Sequence, residues 1–63
     1  MRFTAEDAFD AQDEGEPIMV PASTARRIVH EHAASFDDFT RDAMAGQYPT
    51  HLDAAVVLAW LGY

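Results

Sequence analysis

The sequence has no cysteine and no lysine, and only three glycines and three prolines among its 63 residues. Without cysteine there are no disulfides and no thiolate metal sites, so helix packing or association must stabilise the chain. The need is real, because a domain this short buries only ~60% of its unfolded surface. The absence of cysteine also fits a reducing compartment. Long apolar runs are missing too. The longest, Ala54 to Leu61, falls far short of the ~18 residues that suggest a membrane span. The start, Met1-Arg-Phe-Thr-Ala-Glu-Asp7, leads into acid, so no signal peptide is expected. These absences predict one soluble, cytoplasmic domain over 1–63, with 1–20 as a less ordered arm.

Positive charge is scarce. Four arginines face eleven acids, for a formal charge of -7. Such a surface repels phosphate and anionic headgroups, which argues against broad nucleic-acid or membrane binding. It favours solubility and attraction to a basic partner.

What is present is helical punctuation. Thr4 and Asp7 have capping-box spacing and open a helix over 4–14, closed by Gly15. The stretch Glu16-Pro-Ile-Met-Val-Pro21 sets three apolar residues between prolines. It reads first as an extended linker, and second as a short strand pairing with its own copy in a dimer. Residues 21–34 form a second helix, with Pro21 in its first turn or Ser23 as cap. Its apolar side is Ala22, Ala25, Ile28, Val29, His32 and Ala33. Ser35 caps a third helix, Phe36 to Ala45, with Phe36, Phe39, Thr40, Ala43 and Met44 inward and Gly46 as its stop. The spacing of Thr50 and Asp53 predicts that the last helix starts at Thr50 and runs to Gly62. No internal repeat is evident. The fold expected is all-α, a domain of three to four helices with an extended segment at about 16–21.

The last helix is apolar nearly all round, with Leu52, Val56 and Trp60 on one face and Val57, Leu58 and Leu61 on others. A helix of that kind is normally buried on all sides. Helices two and three offer one narrow face each, so a second chain is the expected cover. The candidate interface is Leu52, Val56, Val57, Leu58, Trp60, Leu61 and Tyr63, anchored by the aromatics.

Other constellations carry less. Asp10-Ala-Gln-Asp-Glu-Gly15 resembles the start of a calcium loop, but its twelfth position, normally a bidentate Glu, is Pro21. His30 and His32 are two apart and project to different sides of a helix, so they do not clamp one metal. Ser23, Ser35, Thr4 and Thr50 read as caps rather than nucleophiles, and no glycine-rich phosphate loop is present. No catalytic, cofactor or metal site is expected. Helices two and three have the length of a helix-turn-helix, but the reader helix carries Asp37, Asp38 and Asp42 where a groove reader carries Arg, Lys, Asn or Gln.

Val20-Pro-Ala-Ser-Thr-Ala-Arg-Arg-Ile-Val29 and the ending Val57-Leu-Ala-Trp-Leu-Gly-Tyr63 resemble small acidic proteins encoded by actinobacteriophages. The resemblance implies a bacterial cytoplasm and regulatory or host-directed action, and carries over no functional residue. The function expected is non-catalytic protein binding by a self-associating homodimer or higher oligomer, with a host or phage protein as a further partner. Two alternatives stand beside it. One is a helix-turn-helix DNA-binding regulator. The other is an acidic nucleic-acid mimic that blocks a basic site on another protein. A titration against mixed genomic fragments separates the first. No binding is expected even at low salt, where repulsion is least screened; a salt-sensitive shift at micromolar protein reverses the ranking.

Overall fold

Side-chain caps start three of the four helices. In the computed structural model, which describes residues 3–63, Thr4 and Asp7 close a reciprocal box at the head of α1 (Ala5–Asp13). The Asp7 N–H donates to Thr4 Oγ1 at 3.1 Å and the Thr4 N–H to Asp7 Oδ2 at 3.2 Å. Ser35 accepts from the Asp38 N–H at 3.4 Å and opens α3 (Phe36–Ala43). Between them lie strand β1 (Met19–Pro21) and α2 (Ala22–Glu31), which follows it without a break. Strand β2 (His51–Asp53) runs as directly into α4 (Ala54–Trp60). Positions 1 and 2 of the expected N-terminal arm lie outside the described residues. The protein is a small, mostly helical domain of four helices and one two-stranded antiparallel ribbon.

The ribbon corrects two expectations. The segment at 16–21 contains a strand, and it pairs within its own chain: Met19 faces Asp53, Val20 faces Leu52 and Pro21 faces His51. Flanking bonds run from the Ala22 N–H to the Thr50 carbonyl and from the Ala54 N–H to the Ile18 carbonyl, each 2.9 Å. Bonds in an antiparallel ladder fall on alternate pairs. Pro21 therefore stands opposite His51 at a non-bonded position, where its missing N–H removes nothing from the ladder. The last helix also starts later than expected. Residues 51–53 are strand, Thr50 caps nothing, and Asp53 is the cap, accepting from the Ala55 N–H at 2.9 Å. Pro21 stands at the head of α2 with no side-chain cap, and Ser23 is not used as one.

Val20 and Leu52, 1% and 2% exposed, put one side chain from each strand into the core. Around them lie Ala8, Ala25, Val29, Phe36, Phe39, Ala54, Ala55, Val57 and Leu58. α1 packs on α4, and α3 on both α2 and α4. The radius of gyration, 10.8 Å, matches the ~11 Å of a compact chain of this length. Thr40, the one buried polar residue of that core, donates from Oγ1 to the Asp37 carbonyl at 2.9 Å. His32 and Ala33 fall past the end of α2, and Ala43 is exposed, so none of them belongs to the inward faces assigned to them.

The element order is one motif used twice, α1-β1-α2 and α3-β2-α4. The spacing from cap to glycine is the same in both halves, Thr4 to Gly15 and Ser35 to Gly46. So is the spacing from Pro17 to Ala22 and from Pro49 to Ala54, with Val20 and Leu52 equivalent. This structural repeat was not evident in the sequence. Equivalent core positions carry different volumes, such as Ala8 against Phe39 and Ala25 against Val57.

The turn joining the halves contains a strained residue. Ala33 has φ +56°, with its N–H on the His30 carbonyl at 2.9 Å and the Ala34 N–H on the Val29 carbonyl at 3.2 Å. This is the helix-ending turn that glycine normally supplies, and a side chain there costs roughly 1 kcal/mol. Ala33→Gly is expected to stabilise the protein by about 1 kcal/mol and raise Tm by about 4–8 °C, checked by thermal denaturation. A lower Tm would mean that the alanine methyl makes compensating contacts.

Candidate functional site: the outer edge of the last helix

Seven apolar residues stand as the candidate interface, and the structure divides them. Leu52, Val57 and Leu58 are core, at 2%, 0% and 7% exposure. Leu52 sits on β2 rather than on the helix, and Ala54 and Ala55 are buried beside Val57 and Leu58. The rest of the chain covers the inner side of α4. Val56, Trp60 and Leu61 are half-buried against that core, and Tyr63 is 60% exposed.

What remains outside is a stripe. Val56, Ala59 and Trp60 have the spacing of one helical face, Tyr63 follows past the end of the helix, and none of the four carries a charge. Trp60 is held edge-on to Phe39, centroids 5.4 Å apart, while its Nε1–H donates to Asp42 Oδ2 at 3.2 Å. Gly62 takes the left-handed φ of +99° that turns the chain, and the Tyr63 N–H then returns to the Leu58 carbonyl at 3.1 Å. That turn brings the Tyr63 ring edge-on to His32, centroids 5.4 Å apart. His32 Nδ1 lies 2.8 Å from the Ile28 carbonyl, which only accepts, so Nδ1 carries a proton. In the neutral ring Nε2 accepts from the Tyr63 hydroxyl at 2.6 Å. The aromatic end of the stripe is thus fixed from two directions. Beside Tyr63 opens a groove of about 560 Å³ between α1 and α2, lined by Phe3, Ile28 and Leu58.

The other candidates do not converge. Asp10, Gln12 and Asp13 lie on α1, and the Gln12 amide donates to Asp53 Oδ2 at 3.0 Å. His51 is exposed on β2 with Nδ1 3.3 Å from Thr50 Oγ1. Among the described residues no three His, Asp or Glu side chains are grouped to hold a metal, and no helix is long and apolar enough to cross a membrane. Thr4 and Ser35 act as caps. On α3, Asp37, Asp38, Arg41 and Asp42 are exposed, and Arg41 is engaged by Asp38 at 2.7 Å and Asp42 at 3.9 Å.

Trp60→Ala is expected to cost about 2 kcal/mol, less than the ~3–5 of a fully buried aromatic because its outer edge is already in water. Tyr63→Phe loses only an exposed hydrogen bond and should cost less than about 0.5 kcal/mol. Urea denaturation followed by circular dichroism compares the two; equal losses would show that the Tyr63–His32 bond holds the fold. Comparison with protein-family models, with curated proteins and with solved structures finds no match.

Proposed function

We propose that the protein is a non-catalytic binding module that associates with a second copy of itself through the outer edge of α4. The observation that carries this reading is the uncharged stripe of Val56, Ala59, Trp60 and Tyr63 on a chain of net charge -7. Eleven acids leave other surfaces polar, and none of the four residues of this one is charged, although Asp42 borders it at Trp60. Large aromatics are favoured interface anchors because they bury much area at little entropic cost. The groove beside Tyr63 offers a copy's aromatic side chain a receptacle in which Phe3, Ile28 and Leu58 stand beside Asp7, Thr24 and Arg27. Two copies related by a two-fold axis would present stripe to stripe, the commonest form of closed association. Regulatory or host-directed action in a bacterial cytoplasm follows from the resemblance to small phage proteins and belongs to this proposal.

The helix-turn-helix reading is weaker, because the α3 surface that would enter a groove is acidic and its one arginine is already paired. The mimic reading has one observation in its favour. Glu6, Asp7, Asp10, Asp13, Glu14 and Glu16 are all exposed along α1 and its turn, without an ion-pair partner among the described residues. Binding of a basic partner by that edge should weaken with added salt.

Sedimentation equilibrium tests self-association. A dimer or higher oligomer is expected at micromolar concentration, with a melting temperature that rises with concentration. Ala59→Glu should give a folded monomer, since Ala59 is exposed. Leu58→Asp should unfold the chain, since it places a charge in the core. A wild-type monomer over a hundredfold concentration range, with an invariant melt, overturns the proposal.

A further inference from the structure

On the side of the molecule formed by α2 and the start of α3, the sparse positive charge is gathered in one place. A cleft of about 600 Å³ there is lined by Ser23, Arg26, Arg27, His30, Ser35 and Phe36. Arg26 and His30 are four residues apart on α2, one above the other. Neither has an acid beside it on that face of the helix, in a chain that carries eleven acids. Arg26 has no carboxylate within ion-pair distance among the described residues, whereas Arg27 reaches Glu31 at 3.7 Å and Arg41 reaches Asp38 and Asp42. Its guanidinium lies 5.1 Å from the centroid of the Phe36 ring. That cation–π contact holds the group in place while its N–H edges remain open to an acceptor. Asp37 also lines the cleft, but its Oδ1 accepts from the Tyr48 hydroxyl at 2.6 Å.

We propose that this cleft binds a small phosphate monoester carried on an apolar or aromatic body. Two guanidinium groups, an imidazole and the Ser23 and Ser35 hydroxyls supply more donors than the two oxygens of a carboxylate can use. They suit the three terminal oxygens of a monoester. The volume far exceeds that of a phosphate ion, and Phe36 and Ala34 give the remainder an apolar lining. Long nucleic acid does not fit the same logic. Its neighbouring phosphates would be carried onto Asp37, Asp38 and Asp42, all exposed on α3. The cleft lies apart from the α4 stripe, so the two proposals stand or fall separately.

Phenyl phosphate and inorganic phosphate are the probes, each titrated into the whole protein and followed by amide chemical shifts at low salt. Saturable shifts centred on Ser35, Phe36 and His30, with phenyl phosphate the tighter ligand, are expected. Arg26→Gln and His30→Gln change exposed side chains and should each weaken phenyl phosphate by about tenfold, the scale of one lost charge-assisted hydrogen bond. Arg41→Gln should leave the affinity unchanged and controls for net charge. Circular dichroism confirms that each variant is folded. Absence of saturation at tens of millimolar, equal binding by the Arg26→Gln protein, or an equal loss with Arg41→Gln overturns the proposal.

Discussion

Two buried side chains, Val20 and Leu52, meet across a ribbon of three residues per strand. The architecture depends on that meeting. Each strand feeds a helix without a connecting turn, so the register of the ribbon fixes where α2 and α4 begin and which way they point. A slip of one residue would turn Val20 and Leu52 to water. Helices from opposite halves then lock over the ribbon, α1 on α4 and α3 on α2. A chain without disulfides obtains by interlocking what a covalent bridge would otherwise supply.

The ends of helices were legible in the sequence because capping is local chemistry. Thr4 with Asp7, Ser35, and the glycines at 15 and 62 act as their types predict. The ribbon was not legible, because three residues are too few to show a period. Thr50 and Asp53 also imitate a capping box, and Asp53 does cap, but from the N-cap position. The repeat was hidden because its halves exchange volume: where one places Ala8 and Ala25, the other places Phe39 and Val57. Packing constrains the total volume of a core more tightly than the size of each residue in it.

At the candidate surface, residue type points to Trp60 and Tyr63, since aromatics at the end of an apolar helix are favoured anchors, and the structure leaves the first half-buried and the second exposed. Leu52, Val57 and Leu58 were assigned to the interface on hydrophobicity alone, which does not distinguish a core face from a docking face. The basic cleft was overlooked, although one signal was present. Arg26 and His30 stand four apart with no acid on that face, in a chain where acids outnumber bases by eleven to four. The two surfaces divide the molecule chemically. The edge of α4 is uncharged, the cleft between α2 and α3 is cationic, and α1 with its turn is acidic.

The doubled motif has a consequence for how copies of this chain meet. The halves are joined only by residues 32–35, where Ala33 holds a left-handed bend against its own preference. Every contact that joins α1-β1-α2 to α3-β2-α4 is equally available between two chains that straighten at that bend. The product of such straightening would be a domain-swapped pair with the same ribbon and the same core. What favours the closed single chain is effective concentration, in the millimolar range for a short tether. The strain at Ala33 pulls the other way. In the structure the ribbon closes within the chain, and the strained bend at Ala33 is what that closure requires.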